Sequence, residues 1–218
     1  MHAEEGARMR VIIMCKAPVA GRVKTRLTTV FTPEEAAMIY QSMAETVIRK
    51  ASTLFSDCRI ASDNIAHPFF EKFRLKMMEQ GEGDLGDRMS RLMQQTFSDG
   101  AGSVLFLGTD SPHMDPSRLV EAVRQLGEYE AVIGPVEDGG YDLIAMKRPA
   151  TELFDDIRWG SEHVLQETLE RAKAADISIG QLDVSFDLDT PESLQRAVPE
   201  WSAPSFYAEK RSGKLSFR

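Results

Sequence analysis

Two kinds of hydrophobic pattern alternate along this chain. Short, continuous apolar runs predict β-strands, and apolar residues spaced three and four positions apart predict helices with one buried face. The apolar runs cover residues 10–15, 58–61, 103–108, 131–133, 141–146 and 177–182. Helical spacing covers residues 33–48, 69–78, 89–97, 116–126, 161–175 and 191–198. Strands that alternate with helices favour an α/β fold with a largely parallel central sheet.

Two of these elements carry especially clear signals. The segment from Thr32 to Glu35 supplies a helix N-cap, a proline at the first helical position and the glutamate of a capping box. Residues 103–108 (SVLFLG) are apolar almost throughout, which is typical of a strand that is covered on both faces. Because there is no internal repeat or low-complexity linker, the pattern predicts a single domain over residues 9–198 and an extension over residues 199–218.

Composition narrows the classes of function. The chain has 218 residues, 26 Lys and Arg against 34 Asp and Glu, and a net charge of −8, which argues against nucleic-acid binding. The early apolar run ends at Cys15 and is too short for a signal peptide or a membrane-spanning helix, so we expect a cytoplasmic protein without membrane insertion. Cys15 and Cys58 adjoin apolar runs and are predicted to be core residues, and the four histidines show no paired ligand spacing.

One loop departs from the acidic character of the chain. Residues 6–33 contain six Lys or Arg and no Asp or Glu, and four of these cations follow the first predicted strand: Lys16, Arg22, Lys24 and Arg26. The loop matches neither the Walker motif nor the dinucleotide fingerprint. It does offer Gly21 for close backbone approach and cations that can neutralise phosphate. The prediction is a phosphate-binding loop, and the alternative is a solvated basic loop.

Three acidic segments are candidates for the remaining chemistry. Asp110 directly follows the most apolar strand, where a carboxylate can hold Mg²⁺ or Mn²⁺ beside phosphate oxygens, although the segment can also serve as a helix entry. Asp187 and Asp189 stand two positions apart in an extended segment and can face one cation. The alternative is that Asp189 or Thr190 caps the helix that begins at Pro191. Residues 138–140 (DGG) can form a turn or let a ligand lie against the backbone.

Six motifs, taken in order, resemble one known family. They are KAPVAGRVKTRL (16–27), GDLGDRM (83–89), GTDSP (108–112), GPVEDGGYDLI (134–144), WG (159–160) and DLDTP (187–191). Together they are similar to the GT-A-like transferases of the DUF2064 type, in the nucleotide-diphospho-sugar transferase superfamily. That superfamily also holds the molybdenum-cofactor and phospholactate nucleotidylyltransferases. The resemblance implies a three-layer GT-A (Rossmann-like) fold, with a mostly parallel sheet and helices on both faces.

The resemblance also implies roles for particular residues. Asp110 and Lys24 would be catalytic, and Asp110, Asp187 and Asp189 would hold Mg²⁺ or Mn²⁺. The nucleotide would be bound by Lys16, Ala17, Pro18, Gly21, Lys24, Arg26, Gly83 and Asp84. The acceptor substrate would lie against Asp138, Gly139, Gly140, Tyr141 and Trp159. Because the chain begins its first motif with Met14-Cys15-Lys16 instead of a glycine-rich signature, the nucleotide base is left open.

The function implied is metal-dependent transfer to a small acceptor. The donor is a nucleoside triphosphate, which gives nucleotidyl transfer, or a nucleotide-sugar, which gives glycosyl transfer; four cations without a nearby acid favour the triphosphate. Asp138 and His113 are alternative candidates for the general base. A second reading is a non-catalytic nucleotide-binding regulatory protein that retains the fold, which the retained Asp110, Asp187 and Asp189 argue against.

Overall fold

The computed structural model describes residues 9–197 and Pro204. The strands are β1 (Met9–Met14), β2 (Cys58–Ser62), β3 (Lys76–Glu79), β4 (Ser103–Leu107), β5 (Ala131–Pro135), β6 (Tyr141–Met146) and β7 (Ile179–Gln181). The α-helices are α1 (Pro33–Leu54), α2 (Leu85–Ser98), α3 (Pro116–Leu126), α4 (Val164–Ala174) and α5 (Pro191–Ala197). Short 3-10 helices cover Thr25–Thr29, Pro68–Phe70 and Thr151–Phe154.

Within residues 9–197, the seven strands form one sheet in the order β3-β2-β1-β4-β6-β5-β7. Strand β6 is antiparallel to its neighbours β4 and β5, and the other neighbouring pairs are parallel. The predicted α/β fold with a largely parallel sheet is therefore confirmed. The carboxyl ends of β1 and β4 and the amino end of β6 meet at one edge of the sheet, where open α/β sheets bind their ligands.

Helices cover both faces of the sheet. Val11 and Ile13 of β1 pack on one face with apolar residues of α1 and α3. Ile12 points to the other face, where α2 and α4 supply the covering side chains. The central strands are thus buried on both sides, which explains why their sequences read as continuous apolar runs. None of the helices in residues 9–197 combines the length and the apolar composition that crossing a membrane requires.

A third cluster fixes the loop that follows β1. Leu27, in the 3-10 helix of this loop, is fully buried among residues of α1 and α5. Helix α1 begins at its predicted capping box: the Thr32 hydroxyl accepts from the Glu35 N–H at 3.2 Å, and the Glu35 carboxylate accepts from the Thr32 N–H at 2.8 Å. The carboxyl end of the basic loop is therefore anchored by the buried Leu27 and by the well-defined start of α1.

The helix predicted over residues 69–78 is wrong. The segment instead forms the 3-10 helix Pro68–Phe70 and the edge strand β3, in which Met78 pairs with Ala61 of β2. Phe69 and Phe73 do stack edge to face, with ring centroids 5.3 Å apart, so the aromatic residues pack as predicted but around a short turn. Pairing with the open edge of β2 outweighs the weak local preference for a helix, a common tertiary override.

The other predicted elements are confirmed, with changes at their ends. Residues 116–126 and 141–146 match α3 and β6, while α4 begins three residues later than the predicted 161. Helix α2 begins at Leu85, before the predicted residue 89, because Asp84 caps it and forms a capping box with Asp87. The predicted extension over residues 199–218 lies outside the described residues, apart from Pro204.

Candidate functional site

A cleft of about 580 Å³ lies at the sheet edge where β1, β4 and β6 meet. Its walls come from the basic loop, from the end of β4 and from the start of α2. Residues predicted for the site make up much of its lining: Lys16, Lys24, Arg26, Gly83, Asp84, Asp110, Tyr141 and Asp189. The structure therefore brings together residues from five of the six sequence motifs, and the WG motif (159–160) does not line the cleft.

Lys24 occupies the centre of one wall. Its ammonium nitrogen lies 2.6 Å from Oδ1 of Asp110 and 2.5 Å from Oδ1 of Asp189, and its side chain is only 4% exposed. Burial by itself lowers the pKa of the Lys24 ammonium group, but the two carboxylates outweigh this effect and the net pKa is raised. Lys24 is therefore a fixed positive charge, and its backbone adopts the left-handed conformation with φ 47°.

Asp187 lies beside Asp110 but is held by a different partner. The Ser111 hydroxyl donates to Oδ1 of Asp187 at 2.7 Å, and the Leu188 N–H donates to the Asp110 carbonyl at 2.9 Å. These bonds fasten the segment before α5 to the loop after β4. Burial raises the pKa of Asp187 to about 7, and the negative charge of Asp110 contributes to the same shift.

The residues fit a divalent cation that arrives with a phosphate ligand. In the part of the chain that the structure describes, no group of three or more His, Cys, Asp or Glu side chains could hold a metal ion. Asp110 nevertheless lies close enough to Asp187 for its charge to add to the effect of burial, which is the larger cause of the raised pKa of Asp187. Mg²⁺ is commonly bound by one or two carboxylates and completed by substrate phosphates. Asp189, the third predicted ligand, contacts Lys24, as Asp110 also does.

The remaining cations of the basic loop face the cleft opening. Arg26 lies 3.7 Å from Asp189 and its side chain is 66% exposed. Lys16 and Arg22 line the same cleft and form no ion pair with any described residue. A polyanion in the cleft would therefore meet cationic groups that are not already neutralised by the protein.

The opposite wall is built around the amino end of α2. The Asp84 carboxylate accepts from the Asp87 N–H, and Gly83 has φ 96°, a conformation that favours glycine. Arg88 extends from the first turn of α2 and donates to the Gly83 carbonyl at 3.0 Å and to Oε1 of Gln80 at 3.2 Å. The glycine-rich motif thus forms a preordered wall that carries a further cation.

Tyr40 of α1 connects the two sides of the cleft floor. Its phenol oxygen accepts from the Lys16 N–H at 2.9 Å and lies 3.1 Å from Oγ1 of Thr109. Burial raises the pKa of Tyr40 well above its usual range, and Cys15 and Asp110 add to the shift. The phenol therefore remains protonated and links the start of the basic loop to the residue before Asp110.

Several predicted site residues lie behind the cleft lining. Ala17 is buried, and its N–H donates to Asp63 at 2.8 Å. Pro18 and Gly21 shape the same loop, in which Gly21 has φ 75°. Trp159 packs edge to face against Tyr141, with ring centroids 6.3 Å apart.

The DGG segment forms the turn between β5 and β6. The Asp138 carboxylate accepts from the Gly140 N–H at 2.9 Å, and Gly139 has φ 85°. A side chain at Gly139 would overlap the carbonyl of Glu162. His113, the other candidate base, stacks on Phe186 and lines a separate cavity. Close packing against the Glu162 backbone therefore accounts for Gly139.

The sequence interpretation gave no role to several residues of the cleft lining, among them Tyr40, Gln80 and Arg88. Tyr40 lies on the apolar face of a helix and is predicted as a core residue, because its polar contacts come from Lys16 and Thr109, which are distant in the sequence. Gln80 directly follows β3, the strand that was predicted as part of a helix. Arg88 belongs to the GDLGDRM motif, where a cation one turn after a capping aspartate was an available signal.

The chain matches a known family and a curated relative in sequence. A family model described as "Uncharacterized protein conserved in bacteria (DUF2064)" matches residues 47–161, which include Asp84 and Asp110. The 2-phospho-L-lactate guanylyltransferase of Methanocaldococcus infernus is 25% identical over 174 residues, which are 79% of this chain and 77% of that protein.

Solved structures extend the comparison to the whole fold. The "putative nucleotide-diphospho-sugar transferase" of Desulfovibrio desulfuricans G20 is 30% identical with a TM-score of 0.80, over 95% of this chain and 96% of that chain. The CMP:2-keto-3-deoxy-manno-octonic acid synthetase complexed with CTP is 15% identical with a TM-score of 0.58, over 87% and 96% of the two chains. The GT-A-like transferase fold predicted from the motifs is confirmed.

One structural neighbour contains a metal. Rv0371c of Mycobacterium tuberculosis H37Rv, solved in complex with manganese, is 14% identical with a TM-score of 0.50, over 88% of this chain and 98% of that chain. At this identity the likeness concerns the fold alone. The manganese is a property of that protein.

Proposed function

The chain belongs to the DUF2064 family, and from this premise we propose that it is a divalent-metal-dependent nucleotidyltransferase. It would transfer a nucleotidyl group from a nucleoside triphosphate to a small-molecule acceptor. The observation that carries the proposal is the contact of the buried Lys24 ammonium group with Asp110 and Asp189 at the centre of a cleft with further cations at its mouth. A phosphate chain needs cations, and a metal that accompanies it needs carboxylates.

Each charged group has a role in this proposal. Lys16, Arg22 and Arg26 neutralise phosphate oxygens as the triphosphate enters, while Lys24 contributes the fixed charge at the cleft centre. Asp110 and Asp187 would hold Mg²⁺ or Mn²⁺, and Ser111 keeps Asp187 in place. A bound metal ion would supply charge neutralisation at the reacting phosphate.

The reaction itself is a displacement at phosphorus. An acceptor oxygen forms a bond to the α-phosphorus, the bond between this phosphorus and the β-phosphate oxygen breaks, and pyrophosphate leaves with the negative charge. Positioning and charge stabilisation account for most of the rate in such reactions. The match to a guanylyltransferase supports this reaction and makes GTP the first triphosphate to test.

Glycosyl transfer is the second candidate. It is supported by the 30% identity to the protein described as a nucleotide-diphospho-sugar transferase. In that reaction the acceptor oxygen bonds to the anomeric carbon of a nucleotide-sugar, and a nucleoside diphosphate leaves. The same cations and carboxylates would bind the diphosphate, so the residues at the phosphate end fit both reactions.

We assign the nucleoside of the donor and the acceptor substrate to different sides of the cleft. We place the nucleoside against Gly83 and Asp84, which line the cleft beside Arg88. Tyr141 lies in the cleft on the β6 side and is the first candidate contact for the acceptor. Residues 138–140 and Trp159 would shape the acceptor side from behind this tyrosine.

The test is a thermal-shift panel. It contains GTP, CTP, ATP, UTP, GDP-mannose and UDP-glucose, each with Mn²⁺, Mg²⁺ or chelator. Wild type is compared with Asp110→Asn and with Asp155→Asn, a matched control at an exposed aspartate outside the cleft. A ligand at 100 times its dissociation constant stabilises a protein by about 2.7 kcal/mol, which is a shift of several degrees.

We expect one triphosphate to stabilise wild type and Asp155→Asn only with metal, and to lose this effect in Asp110→Asn. Release of pyrophosphate on addition of acceptor candidates then identifies a nucleotidyltransferase. Stabilisation by a nucleotide-sugar alone would favour glycosyl transfer. Metal-dependent binding without turnover of any donor would favour the non-catalytic nucleotide-binding protein, and shifts that ignore both metal and Asp110→Asn would contradict the proposal.

A further inference from the structure

Two links join the basic loop to the carboxylate that follows β4. The first is ionic, from Lys24 to Asp110, and it lies at the cleft surface, where Asp110 is 41% exposed. The second runs through the phenol of Tyr40, between the Lys16 N–H and the hydroxyl of Thr109. Tyr40 and Thr109 are buried, so water does not compete for this second link.

The two links differ in what a bound nucleotide does to them. The phosphates compete with Asp110 for the ammonium group of Lys24, so the ionic link weakens when the site is filled. The Tyr40 link uses one backbone N–H and two hydroxyl groups, none of which is a charged phosphate ligand. It can therefore persist while the nucleotide and the metal are bound.

We propose that Tyr40 is a positioning residue that couples nucleotide binding at the basic loop to metal binding at Asp110. This inference rests on the proposed function and adds to it a residue that acts through Lys16 and Thr109 without contacting the reacting atoms. The phenol holds the loop start at a fixed distance from the end of β4. The phosphates and the Asp110 carboxylate can then bind the same metal ion with little reorganisation of the loop.

The hydrogen-bonding pattern makes the role specific to a hydroxyl. The phenol oxygen accepts from Lys16, and its own proton is left for Thr109 or for the Cys15 sulfur at 3.7 Å. Phenylalanine keeps the ring, which packs in the core under α1, and removes only the link. Tyr40→Phe is therefore a clean test.

The experiment measures GTP affinity by titration calorimetry, at saturating Mn²⁺ and in chelator. The ratio of the two affinities is the coupling between metal and nucleotide, and by linkage it applies equally to the effect of GTP on Mn²⁺ binding. We expect Tyr40→Phe to lower this ratio about tenfold, the value of one well-placed hydrogen bond. A merely loosened loop would weaken binding in both conditions and leave the ratio unchanged.

Further variants separate the link from general damage. Thr109→Val should reproduce the loss and Thr109→Ser, which retains a hydroxyl, should restore the wild-type ratio. Tyr129→Phe removes a phenol near Gly180, at the other end of β5, and should change nothing. An unchanged ratio in Tyr40→Phe, or an equal change in Tyr129→Phe, overturns the inference. If wild type binds GTP equally with and without Mn²⁺, the proposed function fails first and the inference with it.

Discussion

The ammonium nitrogen of Lys24 lies 2.6 Å from Oδ1 of Asp110 and joins the basic loop to the end of β4. Lys24 also has an unusual backbone conformation, with φ 47°, a region that residues other than glycine rarely enter. Such strained residues persist where the surroundings hold them, and they cluster at binding and catalytic sites. The conformation of Lys24 therefore supports its place at the centre of the site.

Replacing Lys24 by methionine should weaken Mn²⁺–GTP binding by at least tenfold. The variant loses a charge-assisted contact to phosphate and leaves Asp110 and Asp189 without their shared cation. Lys76→Met, at an exposed position on β3, makes the same change in net charge and should bind as wild type does. Equal affinities for Lys24→Met and wild type would remove Lys24 from the phosphate site.

Without metal, Asp187→Asn should be more stable than wild type at pH 8. The pKa of Asp187 is raised to about 7 in the fold, from an ordinary value near 3.8. A carboxyl group of this kind contributes stability that is present below about pH 4 and is lost as the pH rises through 7. Thermal unfolding in chelator should show an advantage of a few degrees for Asp187→Asn at pH 8, which disappears near pH 4.

The same variant should lose metal-dependent stabilisation by GTP. A gain in stability that accompanies a loss of binding is typical of charged groups kept together for function. Asp155→Asn should show neither effect. If Asp187→Asn destabilises the protein at pH 8 in chelator, the carboxylate is a structural hydrogen-bond acceptor for Ser111 and not a group held at a cost.

Most of the fold could be predicted from the sequence because its strands are buried on both faces and its helices carry explicit caps. The capping box at Thr32 and the apolar run of β4 are local signals, and local signals are readable in one chain. The strand β3 was missed because it has only four residues and depends on pairing with β2. Such a long-range contact leaves no clear signal in so short a segment.

The charged residues of the site could be predicted from the sequence, but the contacts between their side chains could not. The acid-free basic loop and Asp110 stand out against an acidic chain, and the structure brings them into one cleft. The division of labour between Asp187 and Asp189 could not be predicted, since it depends on whether Ser111 or Lys24 lies opposite each carboxylate. Tyr40 was hidden for the same reason, because its partner Thr109 is far away in the sequence.

Two glycines with positive φ should respond very differently to alanine. Gly139 has φ 85° and its missing side chain would overlap Glu162, while Gly21 has φ 75° and open space around it. Strain and overlap together should make Gly139→Ala cost about 3 kcal/mol, and strain alone should make Gly21→Ala cost about 1 kcal/mol. Urea denaturation of both variants provides the comparison. A stable Gly139→Ala that fails to bind substrate would instead favour a direct ligand role for this glycine.

Neither cysteine thiol should react with a thiol reagent at pH 8 in the native protein. Burial raises the pKa of Cys15 and of Cys58 to about 12, so the reactive thiolate is scarce, and both residues are enclosed. In denaturant the chain should give two reactive thiols, the full cysteine content of the sequence.

Cys15 also lies 3.7 Å from the Tyr40 phenol, so its protection reports on the link beneath the cleft. Tyr40→Phe should therefore increase the slow native-state labelling of Cys15, measured in a Cys58→Ser background, and Tyr129→Phe should not. Rapid labelling of Cys15 in the wild type would contradict the closed packing of the cleft floor.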